Sequence, residues 1–133
     1  MTAQVSALPG FLNVIGYGGD DISFTATLKN KDTGAAIPIV GTSKAQIRRY
    51  KDDTEFWSMT VTVDPIITNK AVLTIPAAVS AAVEEYACLR SLYVGDDLVT
   101  GPMFQGFWDW QVVGGSTKTY ASGQMTIIME VSR

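Results

Sequence analysis

Residues 106–133 read GFWDWQVVGG, then STKTYASG, then QMTIIMEVSR, and this stretch decides the fold. Apolar and polar residues alternate in its first and last parts, which is typical of β-strands that bury one face. Trp108, Trp110 and Val112 share the inward face of the first strand, and Met125 begins the inward row of the second. The middle part is polar and bounded by glycines, so it predicts a turn. The stretch therefore predicts two neighbouring strands of a sheet.

The same alternation occurs in shorter runs along the rest of the chain. The clearest is Asp21–Leu28, in which Ile22 and Phe24 begin one apolar face. β-Branched and aromatic residues recur in these runs, and both favour strands. The other predicted strands are Phe11–Tyr17, Ala36–Val40, Ser43–Tyr50, Phe56–Val63 and Ala71–Ile75.

Pro76 opens the one predicted helix, because proline is favoured at the first helical position and several alanines follow. An apolar stripe at steps of three and four residues places this helix around residues 77–90. A strand over Tyr86–Val94, paired with Leu98–Gln105, fits the end of the segment equally well. Together these patterns predict a mainly β fold, an antiparallel β-sandwich of the Ig-like or Greek-key type with one short helix.

The composition excludes several functions. The chain has 133 residues, which suits one domain, and it contains no histidine and one cysteine. The usual zinc sets and the Ser-His-Asp and Cys-His arrangements are therefore excluded, and Cys88 is expected to be a small buried hydrophobe. A net charge of −3 argues against a nucleic-acid partner. No run approaches the roughly 20 apolar residues of a membrane span and no secretion signal opens the chain, so we expect synthesis in a cytoplasm and retention there at least until assembly into something else.

Few residues suggest chemistry. The paired aspartates lack the alternating spacing of a calcium loop, and turn chemistry explains them. No pattern places Glu84, Glu85 and Asp109 together, so no enzyme, cofactor or metal site is predicted. Trp108 and Trp110, two residues apart on one strand, favour burial. Aromatic rings can stack on sugars or bases, so the candidates for binding are Trp57, Trp108, Trp110, Phe56, Phe104 and Phe107.

A series of turn and strand signals covers roughly residues 16–83 and 106–133. The segments are GDDISFT at Gly19–Thr25, TGAAIPIVGT at Thr33–Thr42, Lys44–Arg49, VLTIP at Val72–Pro76, FWDWQ at Phe107–Gln111, and Gly123 through Val131-Ser-Arg133. In this order they resemble the small β-sandwich domains of bacteriophage tail and baseplate proteins, including the N-terminal domain of baseplate upper proteins. Residues 84–105 depart from that pattern, because in those phage proteins the link between the helix and the aromatic strand is shorter. We therefore expect an N-terminal arm over 1–15 and one β-sandwich domain over 16–133, with an insertion at about 84–105.

The resemblance implies a structural, non-enzymatic virion protein, a tail or baseplate component that acts through protein–protein assembly. A capsid decoration protein and a head–tail connector are alternatives within the particle, and a carbohydrate-binding module that reads a host glycan is the alternative of another class. The expected partners are further copies of the chain and other virion proteins, without nucleic acid or membrane. The arm has little nearby to bury its apolar side chains and the insertion lies beside further aromatics, so the predicted interface residues are Val5, Leu8, Phe11, Leu12, Phe104 and Phe107.

Overall fold

A computed structural model describes residues 2–5, 10–30, 32–50, 53–114 and 116–129. These residues form a mainly β fold with one short helix, as the alternation predicted. The helix α1 (Ala77–Ala82) passes into a 3₁₀ turn over Val83–Tyr86. The strands are β1 (Thr2–Val5), β2 (Gly10–Phe11), β3 (Val14–Tyr17), β4 (Ile22–Leu28), β5 (Thr42–Arg48), β6 (Trp57–Val63), β7 (Lys70–Ile75), β8 (Cys88–Val94), β9 (Asp97–Gly114) and β10 (Ser116–Ile128).

All these strands belong to one continuous sheet. Its order is β1-β4-β7-β6-β5-β9-β10-β2, with β3 also beside β10 and β8 also beside β9. The strand β6 changes partner along its length, because residues 57–59 pair with β5 and residues 60–63 pair with β7. The sheet therefore curls over on itself into a nearly barrel-like shape, and inward side chains from both of its halves meet in one core.

Inward rows at every second residue fill this core. Phe24 of β4 and Leu73 of β7 are buried, as the alternation predicted. Phe24 packs edge-on against Trp108 with ring centroids 5.0 Å apart, and Trp110 packs edge-on against Tyr120 at 5.3 Å. Aromatic pairs of this kind add about 0.5–1.5 kcal/mol beyond the burial of their area. The prediction that Trp108 and Trp110 are core residues is confirmed.

The N-terminal segment pairs with strands far along the chain. β1 runs parallel to β4, while β2 and β3 run parallel to β10 at the other end of the strand order. The prediction of a wholly antiparallel sheet is therefore wrong for these strands. Tight hairpins impose antiparallel pairing, but none of these pairs is joined by a hairpin, so the parallel direction is open to them.

A close backbone approach fixes this segment against β10. The amide of Leu12 donates to the carbonyl of Ser122 at 3.0 Å, and Trp108 Nε1 donates to the carbonyl of Leu12 at 2.9 Å. The backbone of Leu12 lies so near Gly123 that a Cβ at residue 123 would overlap the Leu12 carbonyl. The buried indole N–H thus has its acceptor, and the absence of a side chain at residue 123 makes room for the Leu12 carbonyl.

The helix is shorter than the predicted range of 77–90. It ends at Ala82, and two glutamates follow in the 3₁₀ turn, where negative charge opposes the dipole of a helix C-terminus. Cys88 begins β8, whose seven residues all pair with β9, so the strand alternative for this segment is confirmed. Leu89 is consequently exposed, and the prediction that Cys88 is buried is wrong.

The last strand is longer than predicted. It begins at Ser116, so the polar residues 116–123 pair with β9 rather than forming a turn, and the reversal falls next to Gly114. Serine and threonine suit the outward row of a strand as well as a turn, which is why composition misled here. A register shift after Thr119 marks a β-bulge, and the neighbouring Tyr120 is buried.

The predicted strand Ala36–Val40 is not a regular strand. Ala36 makes a single bridge to Lys29, and the amide of Ile39 donates to the carbonyl of Thr68 at 2.9 Å. Pro38 has no amide hydrogen to continue a ladder, so the segment only lies against the sheet.

Gly123→Ala should destabilise the protein because the new methyl group would meet the backbone of Leu12, which cannot move without breaking its hydrogen bonds. We expect a loss of about 2–3 kcal/mol in the free energy of unfolding, measured by urea denaturation. Gly101→Ala is the matched control, since a Cβ there has no heavy atom within 4 Å. Equal stabilities of the two variants would contradict the close approach.

Asp64 gives a pH-dependent contribution to stability. Its Oδ1 accepts the amides of Ile67 at 2.8 Å and Ile66 at 2.9 Å, and these hydrogen bonds lower the pKa of Asp64 from its ordinary value of 3.8. Because the folded pKa lies below the unfolded one, the contribution is complete above the unfolded value and is lost as the pH falls through the folded value.

We expect the stability difference between the wild type and Asp64→Asn to be constant above about pH 5 and to decline below about pH 4. The asparagine keeps an oxygen at Oδ1, so the variant isolates the charge. Urea unfolding across this range measures the difference. A difference that stays unchanged down to about pH 2 would contradict the lowered pKa.

Candidate interaction surfaces

A cleft opens on the outer face of the sheet between Phe11 and Phe107. Phe11 pairs with Ser122, and Ser122 pairs with Asp109, so β2, β10 and β9 place these residues in one cross-strand row. Phe107 lies in the adjacent outward row, opposite Arg48 of β5. These five residues line a cavity of about 180 Å³. The Phe11 side chain is 73% exposed and that of Phe107 is 37% exposed, so both rings are available to a partner.

An ion pair forms the polar wall of this cleft. Arg48 Nη1 lies 2.9 Å from Asp109 Oδ2, and Arg48 Nη2 donates to Oε1 of Gln46, which is buried. Both charged side chains keep about a quarter of their exposure, so the pair adds at most about 1 kcal/mol to stability. Its main effect is to hold the guanidinium and the carboxylate in place between two apolar walls. The arrangement suits an aromatic or apolar group that carries a polar atom at its edge.

The outer face of β5 carries more positive than negative charge beside the cleft. Lys44 Nζ lies 5.9 Å from the ring centroid of Phe56, and the Arg48 guanidinium lies 5.7 Å from the same ring. Asp109 pairs with Arg48, whereas Lys44 takes part in no ion pair within the described residues. An acidic partner group would therefore find an unpaired cation next to the cleft.

A two-stranded arm is formed by β8 and the first part of β9, residues 88–102. β8 pairs with β9 from Cys88 to Val94 and has no second strand beside it in the described part of the chain. Gly95 turns the arm with a positive φ of 64°, a conformation that glycine adopts at little cost. Asp96 and Asp97 make its tip acidic.

The arm extends the core-facing row of β9 beyond the core. Phe104 and Trp108 are buried in this row, but Leu98, farther along it, is 57% exposed. On β8 the same face of the arm carries Tyr93 at 68% and Leu89 at 78% exposure. Large apolar side chains in one exposed row are unusual for a surface that faces only water.

The structure places the predicted interface residues in different environments. Phe11 and Phe107 line the cleft, as described above. Leu12 is half-buried and packs against the core, and Phe104 is fully buried. The Phe104 ring contacts Trp57 edge-on at 5.8 Å, so neither Phe104 nor Leu12 is part of the surfaces defined here.

The other two predicted interface residues, Val5 and Leu8, belong to the predicted N-terminal arm over residues 1–15, which is distinct from the two-stranded arm over residues 88–102. The backbone of Val5 pairs with Leu28 as β1 joins β4. Leu8 lies outside the described residues. Their predicted role in an interface stays a prediction.

Sequence reasoning missed the polar wall and the apolar row of the arm. Arg48 and Asp109 are 61 residues apart, and only the register of β5 on β9 brings them together. For the arm a signal was present, because the alternative strand over Tyr86–Val94 contains both Leu89 and Tyr93, but Leu89 also fits the end of a helical stripe. The arm is predicted only if this segment is interpreted with the period of a strand rather than the period of a helix.

Other kinds of site find no support in the described ranges. No group of three or more His, Cys, Asp or Glu side chains there could hold a metal ion. Among the same residues no helix has the length and apolar character needed to cross a membrane. A scan against protein-family models and a search of the curated proteins find no match. The cleft and the arm are therefore candidate interaction surfaces on the basis of their geometry alone.

Phe104→Ala and Phe107→Ala should have very different effects on stability, although the two residues are close in sequence. Loss of the buried Phe104 ring leaves a cavity and should cost about 3–5 kcal/mol in the free energy of unfolding. Phe107 lies on the surface, so its variant should lose less than about 1 kcal/mol. Chemical denaturation of both variants checks this. Similar losses would show that Phe107 is a packing residue and not part of an open surface.

Proposed function

We propose that this chain is a structural, non-enzymatic component of a bacteriophage particle, a tail or baseplate protein that acts through protein–protein assembly. The observation that carries the proposal is the arm, residues 88–102, with its uncovered apolar row. The order of turn and strand motifs, which resembles phage tail and baseplate domains, supports a place in a virion.

The physics of a two-stranded ribbon favours an assembly role. A hairpin without a third strand or a covering layer is only marginally stable in water. Leu89, Tyr93 and Leu98 receive no such cover from the described part of the chain. Burying each of these side chains against a partner would contribute about 1.5–3 kcal/mol. A partner that covers the row therefore stabilises the arm and gains binding free energy from the same contact.

For the architecture, we propose two facing layers, an antiparallel β-sandwich to whose edges the N-terminal strands add. The change of partner within β6 supports this, because it divides the sheet between the β5 and the β7 side. The contact between Phe24 and Trp108 supports it too, since it joins a strand of one side to a strand of the other. A sandwich of this kind offers a rigid body from which an arm can extend.

Two other positions in a particle would use the same surfaces. A capsid decoration protein and a head–tail connector both act by assembly, and the arm would serve either. The tail or baseplate position is preferred because of the motif order alone. A density map of the intact particle distinguishes the three.

Particles purified from a lysate of cells that carry this gene should contain the chain at a fixed ratio to the other particle proteins. Quantitative mass spectrometry measures that ratio. Replacing Leu89, Tyr93 and Leu98 together with serine should lower incorporation by about tenfold or more, because several kcal/mol of contact are lost. Circular dichroism should show that this arm variant keeps the fold.

The matched control replaces three exposed apolar residues outside the arm, Val40, Ile66 and Ile67, with serine. This control should enter particles like the wild type. Particles that lack the wild-type chain would contradict the proposed function. Normal incorporation of the arm variant would contradict the role of the arm.

A further inference from the structure

We propose that the tip of the arm of one copy docks into the Phe11–Phe107 cleft of a second copy. This inference rests on the proposed function, since it names the partner of an assembling protein. The donor surface is the tip, with Tyr93, Leu98 and the two aspartates beside them. The acceptor surface is the cleft together with Lys44.

The arm cannot fill the cleft of its own chain. Asp97 at the tip and Phe107 at the cleft lie on the same strand, β9, and are ten residues apart along it. At about 3.3 Å per residue, an extended strand separates them by about 33 Å. Bringing the two together within one molecule would require breaking the pairing of β9 with β10 or β5. An arm tip that occupies the cleft must therefore come from another molecule.

The size and the chemistry of the two surfaces match. The cavity of about 180 Å³ is below the roughly 300 Å³ at which small-molecule sites begin, and it suits a single large side chain. Tyr93 offers such a side chain, an aromatic ring with one hydroxyl, and it stands exposed near the tip. The phenyl rings of Phe11 and Phe107 can pack on that ring, while the Asp109 carboxylate and the Arg48 guanidinium lie at its polar edge.

The charges of the two surfaces are complementary. Asp96 and Asp97 place two negative charges at the tip. The outer face beside the cleft carries Lys44 and Arg48 against the single carboxylate of Asp109. Docking would bring the acidic tip near the Lys44 ammonium, which forms no ion pair with any residue that the structure describes. Such complementarity favours this orientation over an encounter between two acidic tips.

Donor and acceptor are different surfaces on each copy, so every molecule can bind one neighbour through its arm and another through its cleft. Contacts of this heterologous kind build a closed ring when the rotation between copies closes, and an open helical array when it does not. The proposed contact thus predicts repeated head-to-tail assembly rather than a two-fold dimer.

Pairs of single-cysteine proteins test the contact directly. In a background in which Cys88 is replaced by serine, Leu98→Cys labels the tip next to Tyr93 and Ser122→Cys labels the floor of the cleft. Under mild oxidation a mixture of these two proteins should form a disulfide-linked dimer. The Ser122→Cys protein alone should not, since two cleft floors cannot meet. Asp32→Cys, at an exposed turn elsewhere, mixed with Ser122→Cys is the matched control and should give no dimer above background.

A charge exchange tests the orientation by an independent readout. Asp96→Lys should weaken self-association about two- to fivefold in light scattering, and Lys44→Glu should do the same, as expected for a partly exposed ion pair. A mixture of the two variants should associate more strongly than either alone, because the charges then match again. Equal association in all three samples would overturn the proposed pairing.

The outcomes separate this inference from the proposed function. If the arm variant fails to enter particles but tip and cleft cysteines do not link, the arm binds another chain, and this inference is overturned while the proposed function stands. Links between two tips instead of tip and cleft would also overturn it. If tip and cleft link but particles lack the chain, the self-association holds and the proposed function fails.

Discussion

The period of two along β9 is the constraint on which the rest of the molecule depends. Every second side chain of this strand points to the same face, so its inward row must be covered wherever it is apolar. Trp108 receives that cover from Phe24 in the opposite half of the sheet, and Trp110 and Phe104 are buried in the same core. Leu98 continues the row where the described part of the chain leaves it exposed. A single strand thus builds the core in one part and leaves large apolar side chains exposed in the other.

The way the sheet closes follows from the same strand. The inward indole of Trp108 is buried against Phe24, and its N–H needs an acceptor that water cannot supply. The carbonyl of Leu12 meets that need, and it can do so only because Gly123 has no side chain. The N-terminal segment is thereby held alongside β10, which places Phe11 on the outer face. The hydrogen bond that satisfies a core residue therefore also positions one wall of the cleft.

Alternation in the sequence was enough to predict the body of the fold. The inward rows that begin at Ile22 and Trp108 are buried as predicted, because a strict period of two leaves no other face for the apolar residues. Composition gave wrong predictions of secondary structure where the same residue types occur in two kinds of element. The serines and threonines of 116–123 lie in a strand, and the alanines after Pro76 support only a six-residue helix.

The cleft could not be predicted in the same way, because it depends on register between strands that are distant in sequence. Phe11 and Phe107 were both predicted as interface residues, yet no local pattern in the sequence indicates that Ser122 lies between Phe11 and Asp109. That relation is set by the register in which the segment around Leu12 pairs with β10. Local patterns identify which side chains point outward, whereas long-range pairing decides which of them become neighbours.

The free edge of β8 bears on how the arm selects a partner. An unpaired strand edge invites any other edge to pair with it, and charged residues on such strands discourage this. Arg90 lies in the middle of β8, and Asp96 and Asp97 close its end. Two arms that met tip to tip would bring acidic residues together. The arm therefore resists general edge-to-edge pairing while its apolar row remains free to bind, which favours a partner that offers a shaped cleft and an opposite charge over one that offers only another strand.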